Sequence, residues 1–274
     1  MNNDGIAFIG GGNMARSLVG GLVRRGTPPA SIRIAEPVAE LRDALARDFG
    51  VAVFDNGRDA VAGGARTWVF AVKPQVMRAV CESLAEAAQA MPPLVVSIAA
   101  GITTGQLDRW LGGGIPVVRC MPNTPALLGA GVTGLHANAR VDADGRACAE
   151  SLLDAAGATV WIDDESRMDA VTAVSGSGPA YVFLLAEAMQ AAGEAEGLAP
   201  DAARILALQT ILGAGRMLTE SSEAPAELRR RVTSPNGTTQ AAIETFEAGG
   251  FRDLVARAIH AATERGRELS AANE

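Results

Sequence analysis

Lysine is almost absent from this chain. Of its 24 lysine and arginine residues only Lys73 is a lysine, aromatic residues make up 4%, and there are 2 histidines and 3 cysteines. Cys81, Cys120 and Cys148 are isolated, odd in number and without the spacing of metal ligands. We therefore expect buried thiols in a reducing compartment, and neither a disulfide framework nor a metal site.

The features of membrane proteins and nucleic-acid-binding proteins are also missing. The longest apolar runs, such as residues 94–100, are far shorter than the about 20 residues that cross a bilayer. The net charge is −7 and the arginines are scattered, which argues against a nucleic-acid partner. With 48% hydrophobic and 20% charged residues, the composition is that of a globular protein, which we expect in the cytoplasm.

A glycine-rich turn lies between a predicted strand, residues 5–9, and a predicted helix, residues 16–25. The six residues between them, GGGNMA, match the pattern G-x-G-x-x-A. The first glycine allows a tight turn, the second lets backbone approach a pyrophosphate, and the alanine permits close packing of helix on strand. The predicted dinucleotide-binding residues of this turn are Gly10, Gly12, Asn13, Met14 and Ala15.

The second predicted strand, residues 31–35, ends at Glu36, where dinucleotide-binding folds usually place a group that faces the adenine ribose. A carboxylate there accepts hydrogen bonds from the 2′-hydroxyl and repels a 2′-phosphate. Arg33 and Arg42 lie near enough in sequence to leave the phosphorylated cofactor open. The predicted cofactor is therefore NADPH or NADH, and Glu36 favours NADH.

Short apolar strands alternate with helical segments as far as residue 162, and after residue 166 the pattern is helical. The alternation predicts an α/β fold, with an N-terminal Rossmann-type doubly wound sheet in residues 1–164 and an all-α domain in residues 165–274. The other predicted strands are residues 52–54, 67–71, 94–98, 117–120, 131–135 and 159–161. The predicted C-terminal helices are residues 168–174, 179–196, 200–220, 226–231, 239–247 and 251–272.

Several C-terminal helices are apolar on more than one face and rich in alanine and glycine, as in residues 206–215. One copy cannot cover such faces, which predicts that two chains pack together. A tight monomeric bundle is the alternative.

Lys73 lies within the sequence AVKPQ at the carboxyl end of the predicted strand 67–71, where open α/β sheets bind ligands. A chain that otherwise uses arginine keeps a compact ammonium here, which suggests that Lys73 positions the cofactor. Residues 97–102 and 119–126 follow neighbouring strands with small residues and prolines. Together with the glycine turn, these loops predict one crevice formed by four strand ends.

Two segments of the helical half suggest a place for a small anionic ligand. Residues 232–240, VTSPNGTTQ, indicate a turn that opens a helix with Thr238 as N-cap, although an ordinary capped helix start is the alternative. The first N–H groups of such a helix favour a carboxylate. Residues 175–181, SGSGPAY, place Gly176 either in a ligand-binding wall or in a simple helix junction.

Taken together, these motifs resemble the pyrroline-5-carboxylate reductase family, whose members reduce Δ1-pyrroline-5-carboxylate to L-proline in the last step of proline biosynthesis. The resemblance runs nearly end to end, and its most specific parts are residues 175–181 and 228–247. It implies an NAD(P)H-dependent oxidoreductase acting on a C–N bond. It also implies a helical dimerisation domain and an intertwined homodimer, which in some members assembles into a decamer.

Site residues follow from the same resemblance. The substrate carboxylate is expected at Ser234, Gly237 and the backbone of Thr238 and Thr239, and the Thr239 hydroxyl is the candidate for holding the ring nitrogen. Glu36 is a departure, because many NADP-using members carry an Asn-Arg or Ser-Arg pair there. The implied cofactor-lining residues are Asn56, Ala71, Val72, Lys73, Pro74 and Ala99.

Other functions fit parts of the sequence. A β-hydroxyacid dehydrogenase depends on a lysine in its helical domain, whereas this chain has no lysine outside Lys73. A catalytically silent dinucleotide sensor needs only the N-terminal half, yet the substrate turn is intact. A six-membered cyclic imine is an alternative substrate.

Overall fold

The computed structural model describes residues 5–272 and contains one sheet of eight strands. The strands are β1 (Ile6–Ile9), β2 (Ile32–Ala35), β3 (Ala52–Phe54), β4 (Thr67–Phe70), β5 (Leu94–Ser97), β6 (Val117–Met121), β7 (Gly131–Ala137) and β8 (Gly157–Trp161). The helices are α1 (Asn13–Arg24), α2 (Ala39–Phe49), α3 (Gly57–Val61), α4 (Pro74–Ala90), α5 (Thr104–Trp110), α6 (Ala143–Leu153), α7 (Met168–Val171), α8 (Gly178–Ala195), α9 (Pro200–Glu220), α10 (Pro225–Arg231), α11 (Thr238–Ala248) and α12 (Phe251–Ala271).

The strand order is β3-β2-β1-β4-β5-β6-β7-β8. Strands β1 to β6 run parallel to one another, β7 runs antiparallel to β6, and β8 is parallel to β7. The predicted doubly wound and mainly parallel sheet is therefore confirmed. Since β1 lies between β2 and β4, the chain order reverses there, and ligands of such sheets bind outside the carboxyl ends of the strands at this point.

The two faces of the sheet are buried under separate sets of helices. On one face α1 contributes Leu18 and α6 contributes Leu152 to a core around Phe8. On the other face Met77 of α4 and Leu107 of α5 enter a second core. The apolar side chains on both sides explain why the strands read as continuous hydrophobic runs rather than alternating ones.

By internal contacts the described residues form two compact units, one within Met1–Ser177 and Ala261–Glu274 and the other Gly178–His260. In the second unit α8 packs against α9, where a Cβ built on Gly193 would lie 3.4 Å from Ala203 Cβ. Large apolar side chains of this unit remain exposed in the single chain. They include Phe183, Leu184, Ile205, Leu206, Leu212 and Met217. The domain boundary after residue 164 stays a prediction.

Cys148 corrects one expectation from the sequence. Cys81 and Cys120 are buried, whereas Cys148 is exposed. The buried positions of α6 are Ala149, Leu152 and Leu153, and Cys148 lies at the edge of that stripe, with its sulfur 3.5 Å from the hydroxyl of Thr67.

Within residues 5–272, no helix combines the length and the apolar character needed to span a bilayer.

Candidate active site

The glycine turn after β1 requires its first glycine. Gly10 has a φ of +105°, and a Cβ built on it would lie 2.6 Å from the carbonyl oxygen of Ala71. Its N–H donates to the carbonyl of Ala35 at 2.8 Å. A side chain at Gly10 would therefore be both strained and blocked by the end of β4.

Gly12 and the first turn of α1 form an open cradle of backbone donors. Gly12 is the N-cap of this 12-residue helix, and a Cβ built on it would meet nothing within 4 Å among the described residues. The N–H groups of Asn13, Met14 and Ala15 have no acceptor in residues 5–272. Such a helix start binds anions, so these residues fit the pyrophosphate of a dinucleotide.

Ala15 and the end of the turn show why the helix can begin so close to the sheet. Ala15 is completely buried in the core that contains Phe8. A larger side chain would push α1 away from β1, and with it the N–H groups of the cradle.

Glu36 is attached to the glycine turn itself. Its side chain is buried, with only 6% of the residue exposed. One carboxylate oxygen accepts the backbone N–H of Gly11 at 2.9 Å, and the other accepts that of Val38 at 2.9 Å. Gly11 has no room for a side chain, because its Cβ would lie 3.0 Å from that of Glu36. This role of Gly11 was not predicted from the sequence, where its place among three consecutive glycines was the available signal.

Arg33 and Arg42, the two arginines near Glu36 in sequence, form hydrogen bonds with different parts of the chain. Arg33 donates to the carbonyl of Ala60 at 2.6 Å, which directs it toward α3. Arg42 donates to the carbonyls of Glu36 at 2.9 Å and Pro37 at 2.8 Å. Of the two, Arg42 is the guanidinium that stands at the turn after β2.

Further cofactor candidates follow the ends of β3, β4 and β5. Asn56 is exposed and caps α3, since its side chain accepts the N–H of Asp59 at 3.0 Å. Ala99 is buried two residues beyond β5. Because these strands are parallel, their ends lie at the same edge of the sheet as the glycine turn.

Lys73 lies at the carboxyl end of β4, next to the turn that contains Gly10. It is exposed and is the N-cap of α4, which begins with Pro74. Its ammonium has no hydrogen-bond or ion-pair partner in the described part of the chain. Ala71 and Val72 contact Gly10, because a Cβ there would lie 2.6 Å from Ala71 and 3.1 Å from Val72. Residues 71–73 therefore lie beside the glycine turn.

Gly176 ends a π-helix, Thr172–Gly176, that lies against the loop after β6. A Cβ built on Gly176 would come within 2.5 Å of Met121 Cε. The side chain of Asn123 donates to the carbonyl of Ser175 at 3.1 Å. Turns of π-helix are frequent at functional sites.

A buried ion-pair network at the end of β6 was not predicted from the sequence. Arg119 is 4% exposed and contacts Asp169 at 3.2 Å and Glu165 at 3.5 Å. The backbone N–H and the hydroxyl of Thr104 each donate to Glu165 at 2.7 Å. Ser270 donates to Asp169 at 3.3 Å. Isolated arginine and acidic residues give no sequence signal for such a cluster.

The predicted substrate turn lies in the second unit. Asn236 has a φ of 60° and is the one non-glycine residue with a positive φ in residues 5–272, which agrees with the tolerance of asparagine for left-handed backbone. Its N–H donates to Gln240 Oε1 at 2.7 Å, and the N–H of Gly237 donates to the carbonyl of Ser234 at 3.1 Å. The turn is therefore closed by its own hydrogen bonds.

Helix α11 begins one residue earlier than predicted. Gly237 is the N-cap and Thr238 is the first helical residue, so the prediction of Thr238 as N-cap is wrong. The carbonyl of Gly237 already accepts the N–H of Ala241 at 3.2 Å, which starts the helical hydrogen bonds there. The N–H groups of Thr238 and Thr239 have no acceptor among the described residues, and the expected set of free donors is thus present.

The predicted site residues fall in both units. The first unit contains Gly176 and all the cofactor candidates, and the second contains Ser234, Gly237, Thr238 and Thr239.

Two family models match the chain. Residues 165–269 match pyrroline-5-carboxylate reductase dimerisation, and residues 5–101 match NADP oxidoreductase coenzyme F420-dependent. The C-terminal half therefore carries a dimerisation domain.

Known proteins resemble the chain over its whole described length. The pyrroline-5-carboxylate reductase of Pseudomonas aeruginosa is 55% identical over 98% of this chain and 98% of that protein. A structure of a pyrroline-5-carboxylate reductase from Coxiella burnetii has a TM-score of 0.95 at 42% identity, covering 98% of this chain and 99% of its own. The Plasmodium falciparum pyrroline carboxylate reductase with NADP bound has a TM-score of 0.84 at 27% identity, with 98% and 99% covered. The chain belongs to the pyrroline-5-carboxylate reductase family.

Proposed function

We propose that the chain reduces Δ1-pyrroline-5-carboxylate to L-proline with NADH or NADPH as reductant. The observation that carries this proposal is the 55% identity to the P. aeruginosa reductase over 98% of both proteins. The glycine turn and the free helix N-terminus of α11 supply the two binding functions that the reaction needs.

The cofactor is assigned to the edge of the sheet where β1, β4 and β5 end. The free N–H groups at the start of α1 support a place for the pyrophosphate, and the absence of a side chain at Gly12 leaves space for it. When bound, the reduced nicotinamide supplies the hydride. Lys73, exposed beside the turn, offers a positive charge to this anionic ligand.

NADH is the proposed preferred reductant. The carboxylate of Glu36 is buried and held by two backbone N–H groups, so it cannot swing away from a 2′-phosphate. Fixed like charges repel more strongly in a partly buried site than in water. NADPH is the alternative reductant, since the P. falciparum structure contains NADP. In this chain the guanidinium of Arg42 is the positive charge that would attract the 2′-phosphate of NADPH.

The substrate carboxylate is assigned to the start of α11. The N–H groups of Thr238 and Thr239 and the hydroxyl of Ser234 are donors there, and the helix dipole favours a negative charge. A hydrogen bond to a charged group contributes about 1.5–3 kcal/mol. Such a clamp selects which face of the ring is presented to the reductant.

The proposed catalysis consists mainly of orientation. A cyclic imine that binds protonated is electrophilic without further help, so the protein has to place its carbon within about 3–3.5 Å of the reductant. The hydroxyl of Thr239, half-buried in the first turn of α11, is the proposed partner of the ring nitrogen. Gly176, in the first unit, is a further proposed substrate-binding residue.

The assembly is proposed to be a cytoplasmic homodimer. The exposed apolar side chains of α8 and α9 are the surface that a second copy would cover, as expected from their apolar sequence. Sedimentation measures whether such dimers assemble further into a decamer.

The test is imine-dependent oxidation of NADH and, separately, NADPH by the purified protein, followed by loss of absorbance. Oxidation that requires Δ1-pyrroline-5-carboxylate and yields proline supports the proposal. Cofactor binding without oxidation would contradict it and favour a dinucleotide sensor. A six-membered cyclic imine assayed in parallel defines the ring size that the site accepts.

A further inference from the structure

The segment that contains Gly176 has a backbone carbonyl that lacks the donor of a regular α-helix. In the π-helix Thr172–Gly176 the N–H of Ser177 donates to the carbonyl of Thr172, five residues earlier, at 2.8 Å. In the α-helix that follows, the carbonyl of Ser175 would accept from residue 179. That residue is Pro179, which has no N–H.

Asn123 supplies the missing donor. Its side-chain amide donates to the carbonyl of Ser175 at 3.1 Å, and its side-chain oxygen accepts the N–H of Val132 at 3.0 Å. Asn123 is 8% exposed. Both functions of the amide are therefore used on backbone groups, and a carboxylate of the same shape would put an oxygen against the Ser175 carbonyl.

The segment around Asn123 also contacts Gly176, the residue after Ser175. Met121 and Asn123 both belong to the segment that ends β6, and Met121 Cε would lie 2.5 Å from a Cβ on Gly176. Two residues earlier, Arg119 pairs with Asp169 of α7 at 3.2 Å. The end of β6 thus fixes α7 and the π-helix at three points.

We propose that Asn123 is a positioning residue for the reduction. By holding the peptide between Ser175 and Gly176 it sets the position of the Gly176 backbone, the proposed substrate contact in the first unit. This inference rests on the proposed function. Asn123 acts through Gly176 and not on the substrate itself.

Asn138 offers a matched control in the same unit. Its side-chain amide donates to the carbonyl of Ile115 at 3.0 Å, and its oxygen accepts the N–H groups of Val117 and Arg140 at 3.2 Å. It therefore bridges backbone groups as Asn123 does, but its partners lie at residues 115, 117 and 140 and not in the π-helix. Replacing either asparagine removes a similar set of hydrogen bonds.

The experiment compares Asn123→Asp and Asn123→Ala with Asn138→Asp and Asn138→Ala. For each, kcat and KM for Δ1-pyrroline-5-carboxylate, cofactor affinity and thermal midpoint are measured. We expect the Asn123 variants to lose about 10- to 100-fold in kcat/KM for the imine, the effect of misplacing a contact by ~1 Å. Cofactor affinity should stay within about twofold, and the Asn138 variants should match their thermal shifts but keep kcat/KM.

The proposal is overturned if the Asn123 and Asn138 variants lose kcat/KM equally at equal thermal shift, or if cofactor affinity falls in parallel with activity. Asn123→Asp keeps an oxygen that accepts the N–H of Val132 and so retains more of the native loop. It therefore tests the proposal if Asn123→Ala does not fold. A wild-type protein without imine-dependent oxidation contradicts the proposed function instead, and so the two failures are distinguishable.

Discussion

The carboxylate of Glu36 accepts the backbone N–H of Gly11 at 2.9 Å. The residue that would choose between the two nicotinamide cofactors is thus also part of the turn that would hold their common pyrophosphate. A substitution at Glu36 acts on both functions, and only a change that preserves the hydrogen bond can separate charge from shape.

Glu36→Gln is the substitution that makes this separation. It removes the charge and keeps one acceptor oxygen, which can still accept the N–H of Gly11, while its NH2 group replaces the oxygen that accepts the N–H of Val38. We therefore expect the ratio of kcat/KM for NADH to that for NADPH to fall about tenfold, or about 1.4 kcal/mol. Glu40→Gln, at an exposed site in the first turn of α2, should leave the ratio unchanged. An unaltered ratio in Glu36→Gln would show that another residue discriminates between NADH and NADPH. Arg42 is then the first candidate, and Arg42→Ala should selectively weaken the use of NADPH.

Substitution by alanine should lower the thermal stability at Gly10 but the cofactor affinity at Gly12. Gly10→Ala places a Cβ 2.6 Å from the Ala71 carbonyl at a φ of +105°, and left-handed strain alone costs about 1–2 kcal/mol. We expect its thermal midpoint to fall. Gly12→Ala meets no described atom within 4 Å, so its midpoint should hold while cofactor affinity, measured by fluorescence titration, falls.

A helical glycine with equally open space is the control for this pair. Gly105→Ala in α5 also meets nothing within 4 Å, and it should change neither property. Retained cofactor affinity in Gly12→Ala would show that the pyrophosphate does not approach this turn.

Thr239→Val tests the proposed contact to the ring nitrogen. The substitution keeps the branched shape and removes one hydroxyl, and a hydrogen bond to a charged group corresponds to about 1.5–3 kcal/mol. Turnover should therefore fall by roughly tenfold to a hundredfold with cofactor affinity nearly intact. Thr245→Val, on the same helix with its hydroxyl on the carbonyl of Ala241 at 2.9 Å, should retain turnover. Loss of cofactor affinity in Thr239→Val would contradict the assignment.

Arg119→Met should be among the most destabilising single changes in the first unit. It removes the cation from a cluster in which the Asp169 side chain is 11% exposed and the Glu165 side chain 24%, and breaking a buried pair costs about 3–5 kcal/mol. The exposed pair of Arg167 and Asp164 at 3.6 Å is the comparison, since Arg167→Met should change stability by less than about 1 kcal/mol. Urea unfolding of the two variants measures the difference.

The sequence was sufficient to predict the sheet because its central strands, such as β1, β4 and β6, are buried on both sides. Each of the eight predicted strands lies where the structure has one, and β7 extends beyond the prediction to Ala137. Continuous apolar runs bounded by glycine and polar residues are a local signal. The antiparallel direction of β7 depends on pairing with β6, which no local pattern encodes.

The parts of the candidate site that are formed by backbone groups could be predicted from the sequence. Glycine, proline and helix starts leave local signals, and these predicted the turn at Gly10 and the free donors at Thr238 and Thr239. Contacts between side chains distant in sequence were not predicted. Asn123 and Ser175 are separated by 52 residues, and only the folded chain brings that amide to a carbonyl whose α-helical donor Pro179 lacks.

Cys148 should be the thiol that reacts in the folded protein. Burial raises the pKa of Cys81 to about 12, and complete burial also raises the pKa of Cys120, so neither forms a thiolate near neutral pH. Cys148 is exposed, with its sulfur 3.5 Å from the hydroxyl of Thr67. A thiol-reactive chromophore should therefore report one fast equivalent in the native protein and all 3 cysteines after denaturation. Cys148→Ser should abolish the fast equivalent, and a fast equivalent that persisted would show that one of the two buried cysteines becomes accessible by local opening.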